Sequence, residues 1–283
     1  MRDDRYGALL ERGWMVVDLP DPGSVLAVRD RLLERLRMLL GSPLERLEDY
    51  HTAVEDDARH LDVLYELAST FWDQQHGVEL VRANLSLVEQ LAGSDLHVQS
   101  YPYLRVTRPN RPRDCVGLHR DTHYGASPYE LALLIPFTEV TPATGLRVVS
   151  GSHAAPEAAY PFTQQPSSGF EAGSKRHRLG FPYAPRTLDP ALVVRAEPVE
   201  VAVGQVLVFS LSLVHGALEN ESASTRVSTD VRIANSFAPV GWARGVRADY
   251  YRPLCSGLVS RLARCYLDNN ATSVPGEEGG DPR

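Results

Sequence analysis

The run Gly204-Gln205-Val206-Leu207-Val208-Phe209-Ser210-Leu211-Ser212-Leu213-Val214-His215-Gly216 decides the fold. It holds two short apolar stretches, 205–210 and 212–217, too brief for core helices, and the second closes on a histidine. Eleven residues beyond His215 begins Arg226-Val227-Ser228-Thr229-Asp230-Val231-Arg232-Ile233. A period of two puts Arg226, Ser228, Asp230 and Arg232 on one strand face, with Val227, Val231 and Ile233 on the other. Further β-rich runs at 97–106, 115–121, 130–138, 145–149 and 198–203 are broken by Pro, Gly, Asn and Ser, which makes about eight strands when 225–237 is included. Short strands at this spacing predict a mainly β fold: a sandwich, a barrel or a jelly roll.

Working outward, the first third reads as helical. Val25, Val28, Leu32, Leu33, Leu36, Leu39 and Leu40 recur at three- and four-residue steps, predicting a helix from Ser24, as its cap, to Gly41, as its stop. The same periodicity runs from Leu61 to Trp72 and from Val78 to Leu91. The chain therefore divides into an N-terminal helical region (1–95), a β core (96–240) and a C-terminal part (241–283). The last holds a closing helix over 253–268 and a disordered tail from Gly276. The interval 154–197, rich in Pro, Gly and Ser, is too long for a turn and reads as a lid or binding loop, or as a disordered surface excursion.

With 29 Lys and Arg against 36 Asp and Glu among 283 residues, the net charge is −7, and no basic run is present. This argues against nucleic acid as the main partner, because phosphate recognition needs clustered cations. No apolar stretch reaches the roughly 18 residues of a membrane span, and the start, Met-Arg-Asp-Asp-Arg, lacks a secretory leader. The expectation is a cytoplasmic protein acting on a small molecule. Cys115, Cys255 and Cys265 form no C-x-x-C pair, so neither a disulfide framework nor a zinc knuckle is expected, and Cys115 reads as a small core residue.

Two His-x-Asp triplets occur, His60-Leu61-Asp62 and His119-Arg120-Asp121. His60 falls in a helical pattern, where residues two apart point to opposite sides, so it reads as a solvated or capping histidine. His119 ends a β-like run, where residues two apart share a face, so its imidazole and the Asp121 carboxylate can meet one cation. His215, at the end of a buried strand pair, is the candidate third ligand. Two histidines and one carboxylate on one face of an octahedron leave three positions open, as in non-haem Fe(II) oxygenases. The alternative makes His215 a core histidine bonded to a backbone carbonyl. On the following strand, an inward polar face lets Arg226 grip a carboxylate in a bidentate fork, with Ser228 adding a hydroxyl. Arg232, on the same face, is open to replacing Arg226 or pairing with Asp230. The competing reading is an exposed charged edge strand.

Together these segments resemble the phytanoyl-CoA dioxygenase-like branch of the Fe(II)/2-oxoglutarate oxygenases, over roughly Gln99 to Pro239. The landmarks are Leu118-His119-Arg120-Asp121-Thr122, Ile135-Pro136-Phe137 through Thr144-Gly145-Leu146, Val149-Ser150-Gly151-Ser152-His153, Gly204-Gln205-Val206-Leu207-Val208-Phe209, and His215 with Arg226. The resemblance implies a double-stranded β-helix, the cupin-like jelly roll, with Fe(II) held by His119, Asp121 and His215. It implies O2 as oxidant and 2-oxoglutarate as cosubstrate, its distal carboxylate on Arg226. In related halogenases Gly or Ala replaces the carboxylate ligand, so Asp121 implies hydroxylation, desaturation or oxidative ring closure instead. His153 belongs to a turn that is structural in such proteins, with Ser150 where Pro is commoner.

The stretch Leu118 to Gly125 is similar to a subgroup that tailors sugar-containing or aminoglycoside natural products, as in antibiotic biosynthesis. His123 and Tyr124 follow the metal triplet and either line the substrate side or pack the loop. Tyr101, Tyr103 and Arg105 alternate on a preceding strand; Tyr103 is a substrate candidate, Arg105 a second carboxylate-binding candidate, and Arg232 a further substrate candidate. Two other functions fit a jelly roll: a cupin-type metal enzyme without 2-oxoglutarate, for which the usual His-x-His is absent, and a non-catalytic binding domain.

Overall fold

A computed structural model gives the fold, and it describes residues 6–164, 170–182, 186–188, 190–239 and 249–270. The helices are α1 (Gly7–Arg12), α2 (Pro22–Leu40), α3 (Tyr50–Ala53), α4 (Asp57–Asp73), α5 (His76–Ala83), α6 (Leu85–Ala92), α7 (Lys175–Arg178) and α8 (Leu258–Asn270). The strands are β1 (Trp14–Asp18), β2 (Leu96–Gln99), β3 (Tyr103–Thr107), β4 (Glu130–Pro136), β5 (Leu146–Val148) and β6 (Phe162–Gln164). They continue with β7 (Arg186–Leu188), β8 (Glu197–Pro198), β9 (Gln205–Ser210), β10 (His215–Ala217), β11 (Arg226–Asn235) and β12 (Tyr251–Cys255).

The large antiparallel sheet runs β1-β9-β4-β11-β2-β12, and β3 also pairs with β11. β11 is its centre, with β4 along one edge and β3 then β2 along the other. A smaller sheet, β10-β5-β8, packs against one face of the large one. Between them lie Ala132, Leu134, Leu146, Val148, Leu207 and Phe209. This is the expected jelly roll. The opposite face carries Leu133, Ile135, Val206, Val208, Val227, Val231 and Ile233, which bury against Val25, Leu32, Leu36, Leu64, Leu67 and Phe71 of the helices. Both faces of β4 and β9 are therefore buried, which is why these strands read as continuous apolar runs.

Several expectations need correction. The N-terminal third is not wholly helical: Trp14–Asp18 forms edge strand β1, in register with Phe209 back to Gln205. α2 starts at Pro22, and its cap is Asp21, whose carboxylate accepts from the Ser24 backbone N–H at 3.2 Å. Ser24 instead donates its hydroxyl to the Asp21 carbonyl. Gly41 ends the helix as expected. The 97–106 run is split into β2 and β3 around Pro102, and 115–121 is no strand, since only His119 makes a bridge. The runs at 198–203 and 212–217 shrink to the short β8 and β10. At the C-terminus β12 occupies 251–255, so the closing helix begins only at Leu258. The tail from Gly276 lies outside the described residues. Within 154–197, β6 and β7 pair as a two-stranded sheet and α7 follows Ser174, which caps it.

His60 is not solvated. It is buried on α4, its Nδ1 3.0 Å from the Tyr50 hydroxyl and its Nε2 3.5 Å from Asp114 Oδ1. Burial pushes its pKa down to about 4. Asp114 in turn takes a two-pronged ion pair from Arg108, 2.8 and 3.0 Å, and Arg108 donates to the Val54 and Glu55 carbonyls. This network ties the helical layer to the mouth of the jelly roll.

Candidate active site

The polar face of β11 looks into the gap between the sheets, so the edge-strand reading is excluded. A pocket of about 690 Å³, including its open mouth, is lined there by Arg226, Ser228, Asp230 and Arg232 together with His119, Asp121 and His215. Its walls include Leu134, Leu146, Val148, Leu207 and Phe209.

The two histidines, 96 positions apart in sequence, are brought together by backbone. His119 N donates to the His215 carbonyl at 2.9 Å and His215 N donates to the His119 carbonyl at 3.0 Å. Residues that exchange both bonds hold their side chains side by side, and the ring centroids are 4.5 Å apart. Asp121 does not share a strand face with His119; it opens a 3-10 turn, Asp121–Tyr124, that swings its carboxylate back. Arg120, between the two, donates to the Ser152 and Ala155 carbonyls and lies over the Tyr160 ring, which anchors the loop. Gly216 permits the close approach: a Cβ there would stand 2.6 Å from the Gly117 carbonyl oxygen.

The donor set fits a metal. Nδ1 of His119 donates to the Gly117 carbonyl at 2.7 Å and Nδ1 of His215 to the Leu213 carbonyl at 3.0 Å. Carbonyls only accept, so each Nδ1 carries the proton and each Nε2 offers a lone pair to the shared centre. From Asp121, His119 Nε2 is 3.6 Å and His215 Nε2 is 3.9 Å away, and one ligand atom from each residue falls within 4.8 Å of the others. Cis ligands about 2.1 Å from a metal lie roughly 3 Å apart, so a small rotamer adjustment suffices. Burial drives the His215 imidazole down to about 4, assisted by His119. Burial alone would raise the Asp121 carboxyl, but Arg232 foremost, then His119 and His215, hold it well below the usual carboxylate range. Neutral imidazoles and an ionised carboxylate are what a divalent cation requires.

Of the three pocket arginines, two are committed. Arg105 Nε reaches Asp230 at 3.3 Å, and its other nitrogens donate to the Leu179 and Gly180 carbonyls. Arg232 pairs with Asp121 at 2.8 Å, not with Asp230. Arg226 has no carboxylate partner among the described residues. It donates only to the Thr144 carbonyl at 3.3 Å and the Thr107 hydroxyl at 3.1 Å, and its Nε has no partner. Burial lowers its pKa, as for an uncompensated cation. Ser228 Oγ is also buried without a partner. A buried guanidinium and a buried hydroxyl, both unsatisfied, fit an incoming carboxylate.

Tyr103 lines the pocket, with the Arg105 guanidinium 5.0 Å and that of Arg232 5.4 Å from its ring centre. Tyr101 lies outside β3, donating to Asp249 and packing on Trp72, not facing the cavity. Tyr124 sits edge-on to His119 at 5.8 Å and is partly exposed. His123 is buried with its ring 4.4 Å from Phe162, so it packs the loop against the 154–197 segment. His153 is structural, 3.1 Å from the Leu10 carbonyl. The Cys115 thiol, pushed up to about 11 by burial, donates to the Leu218 carbonyl. The residues missed in the sequence are Thr107, Thr144 and Asp114. Thr107 and Thr144 hold Arg226 from 119 and 82 positions away, Asp114 lines the pocket, and no local pattern marks any of them.

The phytanoyl-CoA dioxygenase (PhyH) family matches residues 15–228, and the chain belongs to it. By class it is a non-haem iron, 2-oxoglutarate-dependent oxygenase. No curated protein matches the chain. Among solved structures, the non-heme monooxygenase ThoJ is 17% identical with a TM-score of 0.52, over 89% of this chain and 83% of that one, and supports the fold. EvdO2 from Micromonospora carbonacea var. aurantiaca, complexed with 2-oxoglutarate, is 16% identical over 88% of this chain and 96% of that one, with a TM-score of 0.49. HygX from Streptomyces hygroscopicus, with nickel and 2-oxoglutarate bound, is 18% identical over 90% and 98%, with a TM-score of 0.49. No helix among the described residues is long and apolar enough to cross a membrane.

Proposed function

We propose that the chain oxidises a C–H bond of a hydroxyl-bearing small molecule, a sugar-containing or aminoglycoside secondary metabolite, by hydroxylation or oxidative cyclisation. His119, Asp121 and His215 hold Fe(II), and Arg226 with Ser228 binds the distal carboxylate of 2-oxoglutarate. The observation that carries this is the pairing of a three-ligand cluster with one buried arginine that lacks an acid. When bound, iron with 2-oxoglutarate and O2 supplies C–H oxidation coupled to loss of carbon dioxide and formation of succinate.

The protein's own part is positional. Arg226 fixes the cosubstrate's length along the pocket. Leu134, Leu146, Val148, Leu207 and Phe209 keep water from it. The backbone bonds at both Nδ1 atoms keep Nε2 aimed at the metal. Arg105 was a candidate for the cosubstrate; bound to Asp230 and to the 179–180 carbonyls, it is better placed as a wall of the substrate side. Tyr103 and Asp230 complete that side, with Tyr124 beside it against His119, a mixture of polar and aromatic groups suited to hydroxyl-rich rings. From the 154–197 interval, Leu179 and Gly180 pack on this side: their carbonyls accept from Arg105, and Gly180, at φ +80°, lies so close to Tyr103 that a Cβ would stand 2.4 Å from the ring. This supports the lid reading.

The test is succinate formation with Fe(II), 2-oxoglutarate and a panel of saccharides and aminosugars. Stimulation by one of them, lost in His119→Ala, supports the proposal. No stimulation by any saccharide removes the substrate class. Turnover without 2-oxoglutarate would point to a cupin-type metal enzyme.

A further inference from the structure

Arg232 stands six residues along β11 from Arg226, about 20 Å at roughly 3.3 Å per residue, so the two belong to opposite ends of the pocket. It is held from several directions. Nη1 donates to the Tyr250 hydroxyl at 2.8 Å, the backbone N–H donates to Gln99 Oε1 at 3.1 Å, and Nη2 donates to Asp121 Oδ1 at 2.8 Å. The guanidinium carbon lies 5.4 Å from the Tyr103 ring centre and 5.9 Å from that of Tyr250. The side chain is only 16% exposed. Such a guanidinium is not free to follow a substrate; it is part of the wall. Its contact falls on Oδ1, the oxygen that also faces His119 Nε2 at 3.6 Å, while Oδ2 faces His215 Nε2 at 3.9 Å.

We propose that Arg232 is a positioning residue for Asp121, holding Oδ1 so that the carboxylate stays turned towards His119 and His215 in one fixed orientation. This rests on the reading of His119, Asp121 and His215 as a metal site. The consequence is chemical: a carboxylate free to swing away would leave two imidazoles alone, a weaker donor set for a divalent cation than two imidazoles and an anionic oxygen. A planar guanidinium suits this task, because Nη1 on the Tyr250 hydroxyl fixes the direction from which Nη2 meets Asp121.

The experiment uses the full chain with Ni(II) or Co(II) and no cosubstrate. Arg232→Met keeps side-chain length and removes the charge; Arg232→Lys keeps the charge and removes the fork. Calorimetric titration reads the Ni(II) Kd, the visible spectrum of the Co(II) form reads its coordination, and circular dichroism confirms folding. The expected result is a Kd raised about tenfold or more in Arg232→Met, a smaller rise in Arg232→Lys, and an altered Co(II) spectrum in both. If Arg232→Met fails to fold, Arg232→Lys carries the test through the spectrum. Wild-type Ni(II) affinity, within about threefold, or tighter binding in folded variants with an unchanged Co(II) spectrum, overturns the inference. A wild-type chain that binds neither ion overturns the metal site itself, which separates the two failures.

Discussion

Replacing Arg226 by Met should move cosubstrate binding and stability in different directions. The guanidinium is 3% exposed and has no acidic partner among the described residues, so the protein carries an uncompensated buried cation. A bidentate pair with the distal carboxylate of 2-oxoglutarate would be out of water, and removing one side of such a pair costs about 2–5 kcal/mol. At about 1.4 kcal/mol per factor of ten, the 2-oxoglutarate Kd rises between about thirtyfold and several thousandfold. Stability follows another sum. The change gives up the bonds to Thr144 and Thr107, each worth about 1 kcal/mol net, but also removes a charge held away from water by burial. Swapping a buried ionic group for an apolar one of similar size is often neutral or stabilising. The metal-free variant should therefore unfold within about 1 kcal/mol of the parent. The assay is thermal unfolding of the Ni(II)-loaded chain with and without 2-oxoglutarate, since a ligand at 100 times its Kd adds about 2.7 kcal/mol. The parent should gain this increment and Arg226→Met should lose it. A variant several kcal/mol less stable that still binds 2-oxoglutarate normally would make Arg226 a structural residue instead of the carboxylate anchor.

Gly216→Ala forces a Cβ to within 2.6 Å of the Gly117 carbonyl, so the loop carrying His119 must move. Overpacking of this kind costs about 1–3 kcal/mol, and Ni(II) affinity should fall about tenfold; unchanged metal binding would show that the loop yields freely. His60 gives a pH signature. Its folded pKa of about 4 lies below the ordinary 6.5, so between those values the unfolded chain binds the extra proton, and stability is full above pH 6.5 and lost as pH falls towards 4. The loss is about 3 kcal/mol. Urea unfolding should show this slope in the parent and a flatter one in His60→Gln; equal slopes would contradict it. With Asp121 in place, added chloride or bromide should leave the products unhalogenated by mass spectrometry, and a halogenated product would count against the Asp121 assignment.

How far the sequence revealed this site depends on the range of the interaction involved. The alternation from Arg226 to Ile233 is local, and it correctly gave β11 a polar face and an apolar one. It also put Arg226, Ser228 and Arg232 in the pocket. His119 and Asp121 were right as a pair for a partly wrong reason: they converge through a bridge and a 3-10 turn, not through a pleat. Pairings between distant residues left no local trace. Arg232 meets Asp121 and Arg105 meets Asp230 because β3, β11 and the metal loop are neighbours in space, across separations of more than 100 positions. β1 was hidden because five residues between helices carry too little pattern to show a strand whose hydrogen bonds come from β9. His60 looked solvated because helical periodicity locates a face but does not say that a loop at 108–114 covers it.

On the proposed reading, His119, Asp121 and His215 share one metal whose open face takes 2-oxoglutarate anchored by Arg226. A crystal grown with Ni(II) and 2-oxoglutarate tests it most directly through anomalous scattering. One nickel should lie within about 2.2 Å of His119 Nε2, His215 Nε2 and an Asp121 oxygen, with the distal carboxylate on Arg226 and Ser228. Nickel bound elsewhere, or a distal carboxylate resting on Arg105 or Arg232, would contradict it.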